Sequence, residues 1–109
     1  MTRRGEGHER IEKEIAGEKA AALGRAGERL ELVLTEARSA AERLLAAPEG
    51  SEREQLATDY AMLRSRVLEA RLALLIQREA LGLRRHSTVD QQFPEPPNAT
   101  ELLRRQRLF

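Results

Sequence analysis

The chain has 109 residues, of which 40% are apolar, 34% charged and only 3% aromatic, and its formal net charge at pH 7 is +1. This length allows one hydrophobic core, and the shortage of aromatic residues disfavours a β-sandwich, so an all-α fold is predicted. The balanced charge disfavours a dedicated nucleic-acid binder, and the absence of cysteine excludes disulfides and thiolate chemistry.

The sequence carries no sign of export or of membrane insertion. Its beginning, MTRRGEGHER, lacks the apolar stretch of a secretory signal, and no run of about 18 apolar residues occurs anywhere. All but two of the 19 basic residues are arginine, which is typical of a GC-rich genome. We therefore expect a bacterial, cytoplasmic protein that does not contact a membrane.

The first predicted element is a helix over about residues 8–47, preceded by a leader at residues 1–7 that we expect to be disordered. Apolar residues recur along its second half at alternating intervals of four and three: Ala26, Leu30, Val33, Ala37, Ala40 and Leu44. This spacing keeps one seam against a partner helix. Residues 16–27 are rich in alanine and glycine, which either lets another helix approach closely or weakens the helix into a flexible segment.

A proline and a glycine end this helix, and Ser51 with Glu54 then has the spacing of a capping box. A second helix is predicted over about residues 51–86, with its basic run at 84–86 in the last turn, where positive charge is favoured. Its seam has the same alternation: Leu56, Tyr60, Leu63, Val67, Ala70, Leu74, Gln77 and Leu81. Gln77 is interpreted as a buried amide that sets the register. Two long helices with a short connection predict an antiparallel, coiled-coil-like hairpin.

Each helix also has an apolar stripe outside its seam. On the second helix this outer stripe consists of Ala61, Leu68, Leu72, Leu75, Ile76 and Leu83, and on the first helix of Leu23, Leu34, Ala41 and Leu45. Fully burying a leucine contributes roughly 1.5–3 kcal/mol, so a further layer of protein is expected on these stripes. Two hairpins that pair there would form a homodimeric four-helix bundle. The predicted dimer interface is Leu68, Leu72, Leu75, Ile76, Leu34 and Leu45.

The last segment, residues 87–109, is predicted to be a Pro-rich tail with a short helix over about residues 99–108. Its prolines forbid a helix and favour an extended course, and Asn98 with Glu101 repeats the capping-box spacing. Two interpretations stay open. The tail could fold back and cover the outer stripe, alone or across a dimer, or it could dock on a partner protein. The candidate docking residues are Phe93, Pro94, Pro96, Pro97, Leu102, Leu103 and Phe109.

No catalytic or metal-binding motif is present in the sequence: the E-x-x-H pairs of metal-binding bundles, H-E-x-x-H, a P-loop and G-x-S-x-G are all absent. Arginines gather in two places, on the second helix at Arg64, Arg66, Arg71, Arg78, Arg84 and Arg85, and on the last helix at Arg104, Arg105 and Arg107. We predict a non-enzymatic interaction or scaffold module without a cofactor. The alternative is a nucleic-acid-associated regulatory protein that uses these arginines.

Overall fold

The computed structural model of the chain describes residues 3–107 and contains four helices, α1 (Arg3–Ala46), α2 (Ser51–Ala80), α3 (Ser87–Gln92) and α4 (Ala99–Arg107). α1 and α2 lie side by side in opposite directions, and the molecule is a rod of 75 × 23 × 13 Å. The predicted all-α class and the helical hairpin are therefore confirmed.

The core of the hairpin is the predicted seam. All the seam residues of α1 except Ala26 are buried, and they face four buried residues of α2: Tyr60, Val67, Ala70 and Leu74. The buried residues form two clusters. The central cluster contains Leu30 and Val67, and the cluster nearer the turn contains Leu44 and Tyr60. The alternation of four and three thus keeps one side of each helix against the other.

The turn between the two helices differs from the prediction. Ser51 is already the first helical residue of α2, and Gly50 is its N-cap, with a φ of 147° that favours glycine. The Glu54 N–H donates to the Gly50 carbonyl (3.1 Å), and no side chain caps this end. The predicted capping box at Ser51 and Glu54 is wrong, because the helix starts one residue too early for the serine hydroxyl to reach it.

α2 ends at Ala80, short of the predicted residue 86. The cause is Gly82, which has a φ of 83°. Its N–H donates to the Glu79 carbonyl (2.9 Å) and the N–H of the next residue donates to the Arg78 carbonyl (2.9 Å), which is the hydrogen-bond pattern of a Schellman motif. The basic residues 84–86 consequently lie in a connection rather than in a last helical turn, and they lead into α3, which was not predicted.

Replacing Gly82 with alanine is expected to lower the free energy of unfolding by about 1–2 kcal/mol, because a β-carbon disfavours the left-handed backbone at this position. The matched control is Gly24→Ala, which lies inside α1 with open space around the new methyl and should stabilise the protein by about 0.5–1 kcal/mol. Urea denaturation followed by circular dichroism measures both. An unchanged or higher stability for Gly82→Ala would contradict this account of the helix end.

α1 begins at Arg3, ahead of the predicted start at residue 8. Residues 3–7, expected to be a disordered leader, are helical in the structure. They contain no proline to break the helix, and Glu6 lies in the first turn, where a negative charge complements the helix dipole.

α1 is also longer than α2, with 44 residues against 30, and it projects past the end of its neighbour. Lys19 Nζ donates to the Ala80 carbonyl (3.4 Å) at the level where α2 stops. Residues 8–20 are all exposed. One interpretation of the alanines and glycines at residues 16–27 was that another helix approaches them closely. Within the described chain no helix does so: nothing lies within 4 Å of a β-carbon built at Gly17, Gly24 or Gly27.

Candidate functional site

The segment after α2 folds back along the hairpin. We call residues 87–107 the strap; it comprises α3, an extended stretch that contains the three prolines, and α4. Val89 of the strap is buried in the central cluster with Phe93 packed against it, whereas Leu102 and Leu103 pack on the cluster near the turn. Of the two interpretations of the tail, the structure shows docking on its own chain.

Three arginines of α2, spaced seven residues apart, bind backbone carbonyls of the strap and of the connection that leads into it. Nitrogen atoms of Arg64, Arg71 and Arg78 donate to the carbonyls of Pro96, Phe93 and Arg85, at 2.8, 3.1 and 2.9 Å respectively. Seven residues are two helical turns, so these side chains project from one side of α2. An extended Pro-rich segment has carbonyls without partners in a helix or sheet, and Arg64 and Arg71 of this arginine ladder supply donors to two of them.

Arg71 is the central member of the ladder. Its side chain is only 12% exposed, and besides the Phe93 carbonyl it forms ion pairs with Asp90 and with Glu95 (3.4 Å to the latter). Both carboxylates are mostly exposed, so the ion pairs contribute little and the hydrogen bond to the partly buried carbonyl contributes more. Arg71 therefore joins the end of α3 to the extended stretch.

Tyr60, the only tyrosine, fixes the other end of the extended stretch. Its hydroxyl donates to the Pro97 carbonyl at 2.6 Å. Burial raises the pKa of Tyr60, with smaller opposing effects from Arg64 and Arg105, so the phenol stays protonated and remains a donor at neutral pH. This hydrogen bond ties the start of α4 to the cluster nearer the turn of the hairpin.

α4 is held at both of its ends. The Glu101 N–H donates to Oδ1 of Asn98 (2.8 Å), so the predicted cap at Asn98 is confirmed. The Glu101 carboxylate does not complete a capping box. It accepts hydrogen bonds from Arg104 and Arg105, and the bond from Arg104 is the main cause that lowers the pKa of Glu101 to about 2. Near the far end, Gln106 donates to the Leu45 carbonyl (2.8 Å).

Some arginines of the two predicted basic patches take part in these contacts, and others remain exposed. Three arginines of the patch on the second helix belong to the ladder, while Arg66, Arg84 and Arg85 are exposed. On α4, Arg104 and Arg105 are paired with Glu101. The side chain of Arg107 lies outside the described part of the structure, as does the whole of Phe109.

The structure does not bring the six residues of the predicted dimer interface onto one free surface. Leu34 is buried in the central cluster, and Leu45 is partly buried next to α4. Both α1 residues are therefore unavailable to a second hairpin while the strap is docked. Leu75 is partly buried and packs against the central cluster.

The other three residues follow one another along α2 at intervals of four, and we call Leu68, Leu72 and Ile76 the exposed row. Leu68 is partly buried, but Leu72 is 58% exposed and Ile76 55% exposed. Residues four apart lie on the same face of a helix, so the row forms a continuous apolar surface. No other part of the described chain covers Leu72 and Ile76 on this surface.

The histidine, the polar seam residue and the helices as possible membrane spans were the remaining candidates for a function. His8 contacts Glu12 at 2.9 Å on the exposed surface, and in the described part of the chain no group of three His, Cys, Asp or Glu side chains could hold a metal ion. Gln77 is partly buried, and its role in setting the register stays a prediction. Among residues 3–107 no helix is both long and apolar enough to cross a membrane.

No protein-family model matches the sequence, and neither a curated protein nor a solved structure matches it. Function is therefore inferred from the geometry of the strap and of the exposed row.

Proposed function

We propose that this chain is a non-enzymatic interaction or scaffold module that forms a homodimer through the exposed row, so that two hairpins make a four-helix bundle. The observation that carries the proposal is the exposure of Leu72 and Ile76 after the strap has already docked. The strap already packs on the hairpin as a third layer, and it leaves the face of α2 that carries the exposed row uncovered.

The energetics favour a second copy as the cover. Fully burying a leucine or isoleucine contributes roughly 1.5–3 kcal/mol, and a two-fold axis buries each residue of the row twice, once from each chain. Leu83 is also exposed, but it lies beyond the end of α2 and is therefore not counted in the row. The two hairpins would contact through α2, and each strap would stay on its own chain.

Light scattering at micromolar concentration tests the proposal. The wild-type chain is expected to have the mass of a dimer, and Leu72→Glu combined with Ile76→Glu is expected to be a monomer, because it places four carboxylates in the interface. The matched control is Leu32→Glu, an equally exposed leucine on α1, which should remain a dimer. A monomeric wild type, or a double variant that keeps the dimer mass, would refute dimerisation through the exposed row.

Two other interactions are less favoured. A partner protein that binds Phe93, Leu102 or Leu103 would first have to displace the strap, since these side chains pack against the hairpin. A nucleic-acid-associated regulator would have fewer donors of the ladder to use, because each of its three arginines already donates to a backbone carbonyl of this chain.

A further inference from the structure

A cavity of about 360 Å³ lies between the hairpin and the strap. Its floor is formed by Leu34, Ala37 and Ala41 of α1, and the three prolines of the strap line it from above. We call it the strap cavity. Its volume is at the lower end of the range for small-molecule sites, which is about 300–1,000 Å³.

The walls of the cavity offer few hydrogen-bonding groups. Proline has no N–H to donate. The carbonyls of Pro96 and Pro97 are already bonded to Arg64 and to the Tyr60 hydroxyl. The cavity is open to solvent on one side, and its inner wall offers an incoming molecule few hydrogen bonds, so that wall suits an apolar group.

The mouth of the cavity is charged, and the lining includes two arginines and one glutamate: Arg38, Arg105 and Glu95. Arg105 pairs with Glu101 (3.3 Å) and Glu95 pairs with Arg71 (3.4 Å). Arg38 is exposed and is the one charged group of this lining without an ion pair among the described residues. One available guanidinium favours a carboxylate, whereas the nearby Glu95 disfavours a doubly charged anion.

We propose that the strap cavity binds a small monocarboxylate with an apolar body. The hydrocarbon lies between Ala37 and Ala41 on one side and the strap prolines on the other, and the carboxylate pairs with Arg38. The site is built within one chain, so it does not depend on dimerisation through the exposed row.

The fluorescence of Tyr60 provides the measurement, because it lines the cavity and the chain has no tryptophan and no other tyrosine. The wild-type chain is titrated with octanoate and, separately, with octanol, which has the same apolar body without the charge. Arg38→Gln tests the head group, with Arg29→Gln as an exposed control on the same helix. Ala41→Leu fills the cavity, with Ala46→Leu as a control outside it.

We expect saturable changes in Tyr60 emission with both probes. Arg38→Gln should weaken octanoate binding by about fivefold, the effect of one exposed ion pair, and leave octanol binding unchanged. Ala41→Leu should abolish binding of both, while the two control variants should bind like wild type. The proposal is overturned if octanoate gives no saturable change, if Arg38→Gln binds it as Arg29→Gln does, or if Ala41→Leu binds it as Ala46→Leu does.

Discussion

Leu30→Ala is expected to lower the free energy of unfolding by about 2–5 kcal/mol, the usual cost of a cavity left by a buried leucine. Leu30 is fully buried, and its cluster contains residues of three helices, including Val67 of α2 and Val89 of α3. The surrounding side chains come from separate elements and cannot all close on the gap. The loss should therefore affect the hairpin and the docking of the strap together.

Leu32→Ala is the matched control, because it makes the same change two residues away on α1 where the side chain is 59% exposed. Its effect should stay within about 0.5 kcal/mol. Urea denaturation followed by circular dichroism gives both values. If Leu30→Ala costs no more than Leu32→Ala, the assignment of this seam to the core is incorrect.

The seam was predictable because its signal is repeated. The interval of four and three recurs from Leu30 to Leu44 and again from Tyr60 to Leu74, so no single residue decides the outcome. Burial on one side of each helix follows directly from that periodicity. The cap at Asn98 was predicted from residues three positions apart, but the same spacing at Ser51 and Glu54 gave a wrong prediction, so the spacing alone does not decide where a helix starts.

The end of α2 was missed because it depends on one residue. The sequence around Gly82 is otherwise compatible with a helix, and a lone glycine inside a helical pattern costs only about 1 kcal/mol. In the structure Gly82 adopts a left-handed φ that stops the helix, and the chain turns back toward the hairpin. A helix that continued to residue 86 would have cost only about 1 kcal/mol for Gly82, and the local sequence pattern does not resolve so small a difference in free energy.

The position of the strap could not be predicted from the sequence, for a different reason. Arg64, Arg71 and Arg78 were recognised as basic residues, and their interval of seven was visible, but the same interval is typical of a solvated helix face. Their actual partners are backbone carbonyls more than twenty positions away for Arg64 and Arg71. Any sequence has such carbonyls, so no residue type identifies them. The burial of Leu34, predicted to face a second chain, has the same long-range origin.

Arg71→Ala is expected to weaken docking of the strap by about 2–3 kcal/mol, because it removes a charge-assisted hydrogen bond to the Phe93 carbonyl and leaves that partly buried acceptor unpaired. The two ion pairs to exposed carboxylates add little, since exposed pairs contribute about 0–1 kcal/mol. Hydrogen exchange measured by mass spectrometry should show faster exchange across residues 87–107, by a factor of about 30–150.

The same measurement distinguishes loss of the Arg71 contacts from general destabilisation. Protection of α1 and α2 amides in the central cluster should change much less, because the hairpin seam does not include Arg71. Arg66→Ala, which removes an exposed arginine from the same helix, should leave the strap as protected as in wild type. Arg71→Lys should fall between the two, since an ammonium keeps the charge but lacks the planar fork that reaches a carbonyl and a carboxylate at once. Equal protection of the strap in Arg71→Ala and Arg66→Ala would mean that apolar contacts alone hold the strap. The hydrogen bonds of the arginine ladder would then be a consequence of where the strap docks and would not stabilise the docking.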